Sequence, residues 1–210
     1  MGVLGLVIGP SGSGKSTSLI NLVNYDVKVF GATGKRLPFR TQKTINSRAG
    51  YRDIYDSLLA NESRCYVIDD STYLMQFDNF RRAKEKGYDK YTAMSVSFEK
   101  LLEASMDTDF DTTVYFLHHP QFSDVGATKP QTVGRMIDNQ LNMEGLFDII
   151  LECGIEDGRH VFFTNEHGIA KTPLHMFHDR VIDNDLYAVD ATLREYWGMK
   201  KLAEGGSNAD

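Results

Sequence analysis

Gly9, Gly14, Lys15 and Ser16 stand at the spacing G-x-x-x-x-G-K-S, within the run Gly9-Pro10-Ser11-Gly12-Ser13-Gly14-Lys15-Ser16. Residues without a Cβ let a backbone curl until several N–H groups converge on one anion. Lys15 then adds a mobile point charge suited to the outer phosphates of a nucleotide, and the Ser16 hydroxyl adds an oxygen ligand suited to Mg²⁺. With Thr17, residues 9–17 form a candidate cradle for a nucleoside triphosphate. The flanks support this reading. Val3–Ile8 is an apolar run expected to be a strand, and Lys15–Asn24 has helical spacing, whose positive dipole end would face the same anion.

A phosphate cradle needs a metal-side acid and a group to handle the attacking water. Val67-Ile68-Asp69-Asp70 closes an apolar run on two carboxylates. Asp69 is expected at a strand's C-terminal edge, facing the loop from an adjacent strand and ordering the metal's water shell. Asp70 is a candidate general base, or a cap for a helix starting near Ser71 or Thr72. A second apolar run, Thr113–Leu117, ends at His118-His119. Ligands of open α/β sheets gather at the carboxyl ends of strands, so either histidine could sense a γ-phosphate.

These residues require a framework in which strands end together. Apolar segments alternate with amphipathic ones, which predicts an α/β fold with a mostly parallel sheet and helices on its faces. Expected strands are Val3–Ile8, Val27–Phe30, Cys65–Asp69, Thr113–Leu117, Leu146–Glu152 and His160–Thr164, with a turn at Asp157-Gly158. Leu37-Pro38-Phe39 is expected on an edge, because proline cannot donate to a ladder. Expected helices cover Lys15–Asn24, Arg52–Ala60, Leu74–Lys86, Tyr91–Ser105 and Asn184–Tyr196. Gln121–Gln131 reads as a mobile loop, residues 1–203 as one domain, and 204–210 as a disordered polar tail.

The chain has 210 residues, 41% hydrophobic and 25% charged, which is ordinary for a soluble globular protein. No apolar run approaches the ~20 residues of a membrane span, and the early first strand leaves no room for a signal peptide. Cys65 and Cys153 are expected as buried, reduced thiols of a cytosolic protein. A net charge of −6 argues against general affinity for nucleic acid. The exception is Gly31–Arg52, where Lys35, Arg36, Arg40, Lys43, Arg48 and Arg52 occur without one acid. That stretch could contact a phosphate backbone or a neighbouring subunit, or be a solvated loop.

Together these features resemble the phage-encoded RecA-like P-loop ATPases, an AAA/RecA-type group placed with single-strand-annealing and recombination proteins of the Sak type. The resemblance spans roughly residues 3–197. Beyond the glycine loop it rests on Gly34-Lys35-Arg36-Leu37-Pro38-Phe39, on Val67–Met75, and on Gly87–Tyr91. It continues through Thr132-Val133-Gly134-Arg135, Glu144–Phe147, Ala170-Lys171-Thr172-Pro173, Met176-Phe177 and Asn184-Asp185-Leu186. It implies a Mg²⁺-dependent ATPase, assembling as a homo-oligomer on single-stranded DNA in recombination or replication, in the host cytoplasm. ATP would lie between subunits. His119 falls at the family's strand-end histidine. Lys171 and Arg135 are the candidates for a cation supplied to the phosphates by the next subunit. One departure is that no glutamate precedes Glu62, where RecA places its catalytic acid, so Asp70 is the nearest substitute. Two rivals are a nucleoside monophosphate kinase of the guanylate-kinase kind, and an ATP-gated assembly protein with little turnover.

Overall fold

The computed structural model describes residues 1–122, 128–133 and 141–205. Eight strands form one mixed sheet in the order β10-β9-β8-β1-β5-β4-β2-β3. They are β1 (Val3–Ile8), β2 (Lys28–Gly31), β3 (Asn46–Ser47), β4 (Cys65–Asp69), β5 (Thr113–His118), β8 (Ile149–Glu156), β9 (Arg159–Phe163) and β10 (Val181–Asp183). Pairing is parallel from β8 through β1, β5, β4 and β2 to β3, and antiparallel at β8–β9 and β9–β10. Every residue of β1 and β5 is buried, the pattern of central strands covered on both faces.

Successive strand residues serve opposite faces, which divides the core in two. Leu4, Leu6, Ile8, Ile68 and Phe116 pack with Ile54 and Leu58 of α1 (Tyr51–Leu59), Leu74 and Met75 of α2 (Thr72–Arg81), and Phe98 and Leu102 of α3 (Tyr88–Met106). Val3, Val7, Val67 and Leu117 pack on the other side with Leu19, Leu22 and the apolar stripe Leu186, Val189 and Leu193 of α4 (Leu186–Trp197). The α/β architecture expected from the alternation is present. Helix α4 begins where the Asp185 side chain accepts from the Tyr187 and Ala188 amides, and ends at Gly198 with φ 68. Asp157 and Gly158, at φ 50 and 75, make the two-residue turn between β8 and β9.

Four expectations need correction. Residues after Lys15 form two 3₁₀ segments, Ser16–Leu19 and Leu22–Asn24, rather than one α-helix over Lys15–Asn24. The Ser18 hydroxyl bonds back to the Lys15 carbonyl at 2.6 Å, while the Ser16 hydroxyl and the Asn21 amide are drawn outward to the carboxylates of Asp69 and Asp185. Any dipole here comes from a single turn. Leu37-Pro38-Phe39 is not a strand; Leu37 and Phe39 lean on the second core, and the sheet edge belongs to β3. Within 121–131, the described residues pair as β6 (Pro120–Phe122) with β7 (Thr128–Pro130). Glu204, expected in a frayed tail, bridges Tyr25, and the Gly205 amide donates to Asn24 at 2.8 Å.

Both cysteines are buried, as expected. Among the described residues no helix is long and apolar enough to cross a membrane.

Candidate functional site

β1 delivers Gly9 to the C-terminal edge of the sheet, and residues 9–15 fold back over that edge. Gly12 and Gly14 take φ of 82 and 105, conformations that other residues rarely adopt. Gly14 is doubly constrained, because a Cβ there would sit 2.8 Å from the His160 ring. The Ser13 carbonyl accepts from the Cys153 thiol at 3.1 Å and lies 2.8 Å from His160 Nδ1. The β8–β9 hairpin thus braces the loop from behind. Lys15 is buried, and its ammonium donates to the Gly9 and Pro10 carbonyls at 2.6 and 3.0 Å. Burial pushes that ammonium below the usual lysine range, against the pull of Cys153, Asp70 and Asp69.

Across the groove, β4 ends at Asp69. The Ser16 hydroxyl donates to its carboxylate, 2.9 Å from one oxygen and 3.1 Å from the other. Asp69 is expected from sequence on a strand adjacent to the loop strand; the structure corrects this, because β5 lies between β1 and β4. Two strand spacings, about 9–10 Å, therefore separate the loop strand from the acid strand. The end of β5 occupies that interval and brings His118 and His119 with it.

The two histidines have different surroundings. His118 is fully buried, with Nε2 2.7 Å from the Gln131 carbonyl and Nδ1 2.8 Å from the Ser71 hydroxyl. A carbonyl only accepts, so Nε2 carries the proton, and burial pushes the ring's pKa down to about 4. His118 is a neutral structural residue. His119 instead turns toward the groove, its Nε2 3.3 Å from Asp70 and its ring edge-on to Tyr73.

Asp70 has φ 57, and this left-handed residue ends the strand alternation. Its carboxylate goes not to the first amides of α2 but to Thr33 Oγ1 at 3.0 Å, His119 at 3.3 Å and Lys35 Nζ at 3.6 Å. Burial raises its pKa, but His119, Thr33 and Lys35 outweigh that and hold it below the usual carboxylate range. Thr33 lies just beyond β2, which flanks β4 on the side away from β1. Asp70 thus reaches across to β2 from the next strand.

Asp69 shows the opposite shift. Burial first, and the neighbouring Asp70 charge second, raise its carboxyl to about 6. A carboxyl whose folded value exceeds the ordinary 3.8 holds its proton more tightly when folded. Its contribution to stability is therefore full below about pH 4 and is lost as pH rises through about 6. In a chelator, Asp69→Asn should accordingly raise urea stability at pH 7.5 by roughly 1–2 kcal/mol. It should give no such gain near pH 4, and equal urea midpoints for both proteins at pH 7.5 would contradict this.

Lys35, Arg36 and Pro38 complete a groove of about 240 Å³ with Ser11, Gly12, Gly14 to Thr17, Asp69, Asp70 and His119. Of the predicted cradle, Gly9, Pro10 and Ser13 line no part of it and serve instead to hold Lys15 and the loop. Lys171 pairs across β8 with Ile150 and is also outside the lining. Arg135 lies outside the described residues.

Sequence reasoning missed Thr33, His160 and the role of Cys153. It noted Lys35 and Arg36 as members of a basic run and of the Gly34–Phe39 segment of the resemblance, but not as groove residues. A signal for these two was available, since a loop following β2 must open on the edge where β1 and β4 end. Nothing local marks His160, which reaches the loop only through the β8–β9 pairing.

A metal in this groove would meet one hydroxyl and one carboxylate. Among the described residues no group of three or more His, Cys, Asp or Glu is assembled to hold a metal. The hard, sparse oxygen pair of Ser16 and Asp69 fits Mg²⁺, which keeps waters and takes further ligands from phosphates. In comparisons with known proteins, no protein-family model and no curated sequence matches the chain.

Proposed function

We propose that the chain is a P-loop NTPase of RecA-like type that binds Mg²⁺ and ATP and hydrolyses the terminal phosphoanhydride. The observation that carries this is the meeting of Ser16 and Asp69 at 2.9 Å, beside a buried lysine and a glycine loop with two left-handed residues. The loop amides and Lys15 would hold the phosphates, while Ser16 and Asp69 would hold Mg²⁺. Bound there, Mg²⁺ would neutralise charge on the outer phosphates. Asp70, anionic and held by Thr33 and His119, would accept the proton of the attacking water, and His119 would orient that water against the γ-phosphate.

The interposed β5 supports hydrolysis rather than simple binding, because it inserts a polar strand end between loop and metal acid, where an attacking water must be placed. The groove falls below the ~300–1,000 Å³ typical of small-molecule sites, which suits the phosphate end of the ligand and leaves the base outside. ATP as the nucleotide, single-stranded DNA as the partner and a homo-oligomer as the acting form rest on the family resemblance. The basic stretch supports DNA binding less than its composition suggests. Lys35 and Arg36 face the groove, Lys43 donates to the Tyr25 carbonyl at 3.0 Å, and Arg48 packs against Gly34.

Phosphate release from ATP, measured with and without Mg²⁺ and single-stranded DNA, tests this reading. Release should require Mg²⁺ and rise with DNA. ADP formation that depends on an added nucleoside monophosphate would identify a kinase instead. Tight nucleotide binding with no release under any condition would identify an assembly gate.

A further inference from the structure

The cation that meets the γ-phosphate is expected, from the resemblance, on a neighbouring subunit. The described groove already contains one within the chain. Gly34, at φ 72 and covered by the Arg48 side chain, turns the backbone sharply after β2. That turn points Lys35 back over the sheet edge. Its ammonium lies 3.6 Å from Asp70 and 5.6 Å from the centre of the Tyr73 ring, and the residue lines the same groove as Lys15 and Ser16.

This placement has a chemical consequence. Two carboxylates, Asp69 and Asp70, share the groove, and a triphosphate remains anionic even with Mg²⁺ bound. Lys15 alone leaves an excess of negative charge there; Lys35 and Arg36 both line the groove, and of these two Lys35 is the one paired with Asp70. Lys35 is a flexible, largely exposed point charge, with 68% of its side chain in solvent, so it can exchange one anion for another at little conformational cost. Its present partner, Asp70, also has Thr33 and His119, and so would keep two hydrogen bonds on losing the lysine.

We propose that Lys35 is a catalytic residue acting in cis, moving from Asp70 to the γ-phosphate oxygens when a nucleoside triphosphate enters the groove. The exchange does two things. It places positive charge on the group whose charge redistributes as the γ-phosphoryl leaves. It also removes one of two contacts on Asp70 Oδ2, which keeps the Thr33 hydroxyl and has a lone pair left to receive the proton of the attacking water. The water oxygen bonds to the γ-phosphorus, the bond to the β–γ bridging oxygen breaks toward ADP, and the proton passes to Asp70. Lys35 transfers nothing; it stabilises charge. The inference rests on the ATPase reading and deepens it.

The test compares wild type, Lys35→Gln and Lys35→Arg. It uses the affinities for ADP and for the nonhydrolysable triphosphate AMPPNP, both with Mg²⁺, together with single-turnover hydrolysis. Wild type should prefer the triphosphate. Lys35→Gln should lose about tenfold of that preference and about 100-fold in the hydrolysis rate, while its ADP affinity stays within about threefold. Lys35→Arg should restore a substantial part of both. A residue that merely props the loop would lower ADP and AMPPNP affinity together. If Lys35→Gln keeps the wild-type preference for AMPPNP over ADP, the inference is overturned and the ATPase reading survives. If wild type binds neither nucleotide, the ATPase reading itself falls, and this inference with it.

Discussion

Lys15→Ala is expected to lower ATP turnover by about a thousandfold or more while leaving the fold intact. Lys15 is buried under the glycine loop, and among the described residues its ammonium is satisfied by two backbone carbonyls, Gly9 and Pro10. Those carbonyls are cheap to leave unpaired, because a carbonyl retains a second lone pair and the loop is close to solvent. The lysine's burial also lowers its pKa, a sign that the ammonium is held at some cost to the folded chain. Loss of the side chain should therefore move the melting temperature by no more than a few degrees. Circular dichroism and steady-state phosphate release on the same preparations would check both halves. Turnover within tenfold of wild type would count against the assigned role of the loop.

The second large effect lies at the opposite end of the sheet. Arg194 is fully buried on α4, and its Nε donates to Asp190 at 2.5 Å. The rest of the guanidinium donates to the carbonyls of Arg64, Asp111 and Lys200 and to Thr113 Oγ1, at 2.8 to 3.1 Å. Asp190 in turn accepts from Thr113 Oγ1 at 2.8 Å and Tyr115 OH at 2.9 Å. This ion pair ties α4 to the N-terminal ends of β4 and β5. Asp190→Ala would leave a buried guanidinium without its counter-charge, and should cost about 3–5 kcal/mol. That corresponds to a fall of about 2 M in the urea midpoint. Replacing both partners, as Asp190→Leu with Arg194→Met, should recover much of the loss, because a well-packed apolar pair removes the desolvation penalty. A single Asp190→Ala variant within 1 kcal/mol of wild type would show that the network relaxes or admits water. Because the pair sits far from the strand ends that carry the groove, nucleotide affinity of the folded fraction should be unchanged.

These predictions separate stability from chemistry because the fold itself does so. The Asp190–Arg194 network lies where strands begin, and the candidate site lies where parallel strands end together. Asp69 is the exception that supports the rule. It is a buried carboxyl in the groove lining, held above its ordinary range by burial and by its neighbour Asp70, and so costs stability at neutral pH.

Much of this was legible in the linear chain. The spacing of Gly9, Gly14, Lys15 and Ser16 announced a tightly curled loop, and the structure has Gly12 and Gly14 in left-handed conformations with Lys15 and Ser16 at its end. The apolar runs ending at Asp69 and His118 announced strand ends, since burial on both faces demands continuous hydrophobicity and polar residues end it. What followed from local pattern was the inventory of elements and their acids and bases. Pattern overreached at Ser16 to Asn24, where helical spacing is present but the chain forms two 3₁₀ segments, with Ser18 bonded back to the Lys15 carbonyl and Ser16 and Asn21 tied to Asp69 and Asp185.

Tertiary structure alone decided which of these groups meet. Strand order is a long-range property, so no window of sequence shows that β5 stands between β1 and β4. Asp70 turns toward Thr33 and Lys35 through a single left-handed residue, a conformation that an aspartate permits but does not require. Cys153 and His160 reach the Ser13 carbonyl because an antiparallel hairpin joins the sheet beside β1, some 140 residues further along the chain. Local sequence encodes what each segment prefers by itself. The register and order of pairing, set by burying all the strands at once, determine which charges share a groove.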